Sequence, residues 1–187
     1  MKLLFVHEWS RVPAEAEADI CQVADGLKRR GHRLGLLHGP GTGTSAVDWL
    51  DVFSDRFLLL AHSVWDICQR FYPDVIYAHN VGDLRVLEAL LETDVPRVRV
   101  VRNHTGRFPL RWTRKRELKL NRRFHRLVVG TNSMKQQLLR DGFALDKIEV
   151  HRPRCSSVRK LEEMFARVLL TANHHSHENH GYQLLSV

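Results

Sequence analysis

A chain of 187 residues with 43% hydrophobic and 27% charged residues is long enough to bury its own core and too apolar to be disordered. Cys21, Cys68 and Cys155 form no CxxC pair, which excludes a disulfide framework or a thiolate zinc site and fits a reducing compartment. The net charge of +8 is concentrated, because nine Lys or Arg and one Glu lie between Arg107 and Arg126.

Lys2–Val6 reads as a buried strand, and His7 and Glu8 end its apolar run too early for a signal peptide. The turn from Glu8 to Asp19 contains no glycine, which excludes a dinucleotide fingerprint and argues against a nicotinamide dehydrogenase. Ile20, Val23, Ala24 and Leu27 share one face of a helix, with Lys28, Arg29 and Arg30 in its last turn and Gly31 as its stop. Arg33–Leu37 is a second strand. The following Gly39-Pro40-Gly41-Thr42-Gly43-Thr44 lacks the Lys-Ser/Thr of a P-loop and reads as a connection. A short strand is expected over Phe57–Leu60, then a helix carrying Val64, Trp65, Ile67 and Cys68.

Val75–Ala78 is a strand, and Asp83 caps a helix whose Val86, Leu87, Leu90 and Leu91 face inward. Val98–Val101 and Leu127–Gly130 are further strands. Between them a basic helix is expected over Thr113–His125, with Leu120, Phe124 and Leu127 as its apolar stripe. Ser133 and Gln136 match a capping box, Gly142 closes that helix, and Ile148–Val150 is the last strand. No stretch approaches the ~20 apolar residues that span a bilayer. The alternation of strands and helices predicts an α/β fold, a doubly wound and mostly parallel sheet with helices on both faces. This domain spans residues 1–153. Residues 154–187 are expected to be one amphipathic helix (Val158 to Val168) and a disordered His-rich tail from Thr171. His174, His175, His177 and His180 lie in that tail with no rigid frame, so no metal site is assigned.

Chemistry in such a sheet sits beyond the carboxyl ends of the strands. There the sequence places His79-Asn80, Arg102-Asn103-His104 and Thr131-Asn132-Ser133, imidazoles, amides and hydroxyls suited to sugar hydroxyls and phosphates. Each alone can be a capping or loop residue. The basic segment, with Arg111, Trp112, Arg114, Lys115, Arg116, Arg122 and Arg123, is either a solvated helix face or a contact for an anionic surface. Trp112 and Phe124 are too few aromatics for a nucleic-acid interface.

Taken together, several segments resemble the GT-B glycosyltransferases of the family-4 (group 1) type. They are Lys2–His7, Leu27–His32, Pro73–Asn80, Val100–His104, His125–Ser133, Leu139–Phe143 and Asp146–Val150, in that order. The resemblance covers about residues 1–152 and implies the Rossmann-like amino-terminal half of a two-domain enzyme. In that family this half holds the acceptor, and the other half holds the nucleotide-sugar across a cleft. By resemblance, His104 is the histidine near the reacting sugar, while His79, Asn80, Arg107, Asn132 and Ser133 line the cleft. The basic helix is similar to the membrane-facing element of members with lipid-linked or membrane acceptors. The family's glycine pair in the first turn is replaced here by Val12-Pro13-Ala14-Glu15-Ala16, and only 34 residues follow Pro153. The expectation is therefore a glycosyltransferase-like enzyme half without its donor-binding domain. Its implied partners are a nucleotide-sugar, a glycan or lipid-linked acceptor and a separate donor-binding domain, and no cofactor is expected. The alternative is a non-catalytic module that binds anionic membrane or a partner protein. Either would work in the cytoplasm, free or peripheral on the inner face of the membrane.

Overall fold

The computed structural model describes residues 1–7, 14–38, 51–54, 60–79, 81–92, 99–104, 111–151 and 158–178. For residues 14–21, 38, 51–54, 60–63, 104, 111–113 and 171–178 it describes the backbone only. The elements in chain order are β1 (Lys2–His7), α1 (Ala14–Arg29), β2 (Arg33–His38), β3 (Asp51–Ser54), α2 (Leu60–Phe71), β4 (Val75–His79) and α3 (Leu84–Leu91). They continue with β5 (Arg99–His104), α4 (Arg111–Asn121), β6 (Arg126–Val129), α5 (Asn132–Arg140), β7 (Ile148–Val150) and α6 (Val158–Glu178).

All seven strands join one sheet in the order β3-β2-β1-β4-β5-β6-β7, and every pairing is parallel. Both faces are covered, which is why the strands read as nearly unbroken apolar runs. Alternate residues go to opposite layers. Leu4, Val6, Ile76, Ala78, Val100, Leu127 and Val129 pack under α2, α3, α4 and α5. Leu3, Phe5, Leu34, Leu36, Val75, Tyr77, Val101 and Val128 pack under α1 and α6. The chain leaves β1 in one direction to β2 and returns on its other side at β4, so the topological switch point lies between β1 and β4.

Turn chemistry pins the opposite edge of the sheet. Asp74 accepts from the Lys2 amide through Oδ2 at 2.7 Å, while its own amide donates to the Lys2 carbonyl at 2.8 Å. Its carbonyl accepts from the Arg99 amide at 3.1 Å, so one residue aligns the starts of β1, β4 and β5. Gly31 has φ +83°, the left-handed conformation that ends α1 without a Cβ penalty.

Three expectations need correction. The third strand is Asp51–Ser54, not Phe57–Leu60, and Leu60 opens α2; residues 57–59 lie outside the described residues. A short apolar run does not by itself distinguish a strand from the start of a buried helix. The helix α5 is capped by Thr131, whose hydroxyl accepts from the Met134 amide at 3.2 Å, so Ser133 lies within the helix and the cap stands two residues earlier, with Met134 in place of the Gln that a capping box requires. The basic helix is Arg111–Asn121, with Phe124 in the turn that follows and Leu127 in β6.

α6 extends over Val158–Glu178, past the stretch that sequence periodicity marked. Its Leu161, Met164, Phe165 and Val168 complete the second layer, with the Phe165 ring edge-on to Tyr77 at 5.5 Å. α1 and α6 meet at Gly26, where a Cβ would fall 2.4 Å from Val158 Cγ2, so only glycine permits the contact. Glu162 fastens α6 further, accepting from Arg30 Nε at 2.5 Å and pairing with His32 Nε2 at 2.8 Å.

Candidate functional site at the carboxyl rim of the sheet

The pairing registers decide which rim residues stand together. His7 at the end of β1 is level with His38 on β2 and with His79 on β4. Ser54 on β3 is level with His38. Ala78 is level with Arg102, so the next residues, His79 and Asn103, continue the same rank onto β5. A polar row thus crosses the switch point at the ends of the strands. His104 comes one residue beyond Asn103, at the end of β5, in the alternation phase of the opposite layer.

His7 is fully buried, and its Nδ1 donates to the His79 carbonyl at 2.9 Å. A carbonyl only accepts, so the proton sits on Nδ1 and Nε2 carries the lone pair in the neutral ring. The His79 ring lies 5.4 Å from that of His7 and 5.7 Å from that of Tyr77. Burial, reinforced by His7 and His151, drives the His79 pKa down to about 3, so this imidazole is neutral at physiological pH. Burial likewise raises the Tyr77 hydroxyl pKa, and lowers that of His151 with help from Lys160. His79 therefore stands in this row as a neutral hydrogen-bonding group.

Beside it, β6 runs into Thr131, Asn132 and Ser133, all exposed at the start of α5. Asn132 and Ser133 thus reach the same rim as His79, as the sequence predicted. Asn80 and Arg107 lie outside the described residues. For His104 the structure gives a position on the rim and no side-chain environment.

Under the rim, on the α4 side, lies a buried polar cluster that sequence reasoning missed. Arg102 Nη2 donates to Glu117 Oε1 at 2.8 Å, with side chains only 5% and 2% exposed, and Arg102 Nη1 bonds Asn121 Oδ1. The guanidinium also lies 6.0 Å from the centre of the Phe124 ring. This network roots α4 in the sheet one residue pair below His104. Its sequence signal was Glu117, the one acid in a basic helix, at a position one turn from the apolar Leu120.

That anchoring fixes which way the cations of α4 face. Glu117, Leu120 and Asn121 point inward and are buried. Arg114 pairs with Asp141 at 2.8 Å on one flank, and Arg116 pairs with Glu88 at 2.5 Å on the other, where Arg123 Nη2 also donates to the Leu91 carbonyl at 3.3 Å. Lys115 and Lys119 stand at i and i+4 on the outward face, and Arg122 follows in the turn after the helix with its guanidinium 6.0 Å from the centre of the Phe143 ring; all three are exposed and have no carboxylate partner among the described residues. For Arg111 and Trp112 only the helical backbone is described. No helix among the described residues is long and apolar enough to cross a membrane, and the described residues hold no cluster of three or more metal-ligating side chains.

Solved structures share this architecture. The fold superposes on the UDP-GlcNAc 2-epimerase from Methanocaldococcus jannaschii with a TM-score of 0.60 at 15% identity, over 80% of this chain and 45% of that one. For the UDP-GlcNAc 2-epimerase from Neisseria meningitidis bound to UDP-GlcNAc the TM-score is 0.58 at 14% identity, over 80% and 46%. A glycosyltransferase from Rickettsia africae ESF-5 gives 0.59 at 18% identity, over 89% and 48%. The chain thus spans less than half the length of these proteins, and at such identities the likeness is one of fold. No curated protein matches the sequence. The family model for Glycosyltransferase Family 4 matches residues 16–153, from the start of α1 to just beyond β7. With that match over most of its length and a Rossmann-like parallel sheet of the GT-B kind, the chain belongs to glycosyltransferase family 4.

Proposed function

We propose that this domain supplies the acceptor side of sugar transfer from a nucleotide-sugar, with the donor held by a separate domain. The observation that carries the reading is the rank of polar residues His38, His7 and His79 across the switch point, in a chain of family 4. Neutral imidazoles and amides exchange hydrogen bonds with sugar hydroxyls without the desolvation cost of a charge. In this reading His104 stands nearest the reacting sugar, and His79, Asn80, Arg107, Asn132 and Ser133 hold the acceptor. Transition-state stabilisation needs groups on both sides of the breaking bond, and the rim supplies one side. The test is amide chemical-shift mapping with glycan and lipid-linked glycan acceptors, followed by transfer assays with nucleotide-sugars, with and without an added donor domain. Shifts centred on His79, Asn103, His104 and Asn132 support the proposal. Shifts elsewhere, or none with any acceptor, reject it.

A second reading concerns α4. The flanking arginines are neutralised by Asp141 and Glu88, whereas Lys115 and Lys119 on the outward face and Arg122 in the turn after it have no carboxylate partner among the described residues, favouring an anionic membrane surface as their partner. Sedimentation with vesicles containing anionic lipid should show binding that weakens with salt and is lost in Lys115→Ser/Lys119→Ser/Arg122→Ser. Equal sedimentation with neutral vesicles, or no effect of the triple substitution, makes the row a solvated face.

A further inference from the structure

Three helices end on a residue in the left-handed conformation. Gly31 closes α1 and Gly142 closes α5, both at φ +83°. The residue that closes α2 is Tyr72 at φ 53°, the one side-chain-bearing residue with a positive φ among the described residues. Its amide donates to the Cys68 carbonyl at 2.8 Å, so it makes the helix-ending turn that glycine makes elsewhere without a Cβ penalty. Burial of the ring does little to offset that strain, because Tyr72 is 52% exposed.

A second aromatic stands in line with it. Trp65 lies seven residues earlier, two helical turns away, which returns it to the same side of α2 at a rise of about 10 Å. Trp65 is 47% exposed, and Gln69 between the two rings, at i+4, is exposed as well. Val64, Ile67, Cys68 and Phe71 form the opposite side and are buried in the core. A single exposed ring is ordinary on a protein surface. Two on one stripe, one of them held in a strained turn, point to a contact surface.

Charge then selects the partner. In a chain of net charge +8, α2 holds one acid and one base, Asp66 and Arg70, both exposed beside the stripe. An anionic partner finds its complement on α4, whereas this side of α2 matches an uncharged one. A pyranose ring offers a face of C–H groups, which stacks on the electron-rich face of an indole or a phenol. Hydroxyls around its edge exchange hydrogen bonds with an amide, which both donates and accepts.

We propose that the outward side of α2 is a saccharide-binding platform, on which Trp65 and Tyr72 stack against pyranose rings of an extended neutral glycan while Gln69 hydrogen-bonds the hydroxyls between them. No bond is made or broken there. The platform runs down the flank of the domain to the edge where β4 begins, away from the carboxyl rim. A monosaccharide covers one ring and an oligosaccharide covers both, so the platform rewards length. It does not depend on the rim being an acceptor site.

Calorimetric titration of the full chain with cellohexaose, maltohexaose and chitohexaose, against glucose and N-acetylglucosamine, tests the platform. At least one hexasaccharide should bind about tenfold or more tighter than its own monosaccharide. Trp65→Ala and Tyr72→Gly should each weaken that binding by about tenfold, and Tyr72→Phe, which keeps the ring, should retain it. Tyr72→Gly separates binding from folding, because it removes the ring and relieves the turn; its melting temperature should not fall while its affinity does. No binding by any hexasaccharide, binding no tighter than the monosaccharide's, or binding that survives Trp65→Ala/Tyr72→Gly overturns the proposal. If no hexasaccharide binds and the parent chain self-associates in sedimentation equilibrium while the double variant does not, the stripe belongs to a second copy instead. Hexasaccharide binding to the platform with no amide shift at His79, Asn103 or Asn132 for any acceptor counts against the sugar-transfer reading alone.

Discussion

Replacing Glu117 by Leu removes the one carboxylate among the described residues that pairs with the Arg102 guanidinium and tests whether α4 is held by charge. The side chains are 5% and 2% exposed, so water cannot take the place of the missing partner. Burial depresses the Arg102 pKa and Glu117 acts to raise it, so the site tolerates the cation only because the anion is there. Breaking a pair buried to this degree costs about 3–5 kcal/mol. Against a total stability of about 5–15 kcal/mol, that is a large fraction. At about 2–4 °C per kcal/mol for a chain of this size, the melting temperature should fall by about 6–20 °C. Arg102→Met should cost a similar amount, because it takes the guanidinium away from a carboxylate that stays buried. The double variant Arg102→Met/Glu117→Leu should recover to within about 2 kcal/mol of the parent, with part of the deficit coming from Asn121, which loses the donor to its Oδ1. Urea denaturation of the four proteins closes the cycle. A double variant whose loss equals the sum of the single losses would show that the two residues are not coupled and refute the reasoning.

Three further outcomes follow from contacts already described. Gly26→Ala should destabilise by about 1–3 kcal/mol, because its Cβ meets Val158 Cγ2 at 2.4 Å; pairing it with Val158→Ala should restore most of the loss in thermal denaturation. Thr131→Ala should cost about 1 kcal/mol as the true cap of α5, whereas Ser133→Ala should stay within about 0.5 kcal/mol by the same denaturation assay; equal effects would contradict the observed cap. Tyr72 has φ 53°, a left-handed conformation that costs a side-chain-bearing residue about 1–2 kcal/mol. Tyr72→Gly should therefore raise stability by up to about 1 kcal/mol after its larger unfolded entropy is counted, and a fall in melting temperature would show that the exposed ring contributes more than the strain.

What the sequence disclosed was set by how local each signal is. The strand Val75–His79 and the cap Asp83 were legible because an apolar run and a capping side chain act within a few residues. Leu60 illustrates the reverse case, since four apolar residues in a row fit a strand as well as a helix start, and tertiary packing decides between them. Asn132 and Ser133 were placed correctly on the rim, although their structural neighbour Thr131 proved to be the cap. His7 escaped notice because it looked like the end of an apolar run, and its meaning comes from strand register with His38 and His79. Arg102 was read as part of a polar strand end. Only the packing of α4 against β5 shows that it is buried and paired. Periodicity carries no information on which strands become neighbours.

The ion pairs of Glu162 carry a consequence for how this chain acquires its structure. His32 and Glu162 are 130 residues apart, and the helix that joins them covers a layer built from β1, β2 and β4. Such distant contacts raise the contact order, and the entropy of closing so long a loop must be spent before they contribute. The layer under α2 to α5 can assemble from segments near one another along the chain, while the other face is covered by α1 alone until α6 docks. The apolar side chains of Phe5, Leu36 and Tyr77 are then open to misassociation during synthesis. A folding intermediate with one finished face and one sticky one is the natural expectation, with docking of α6 as the slow step.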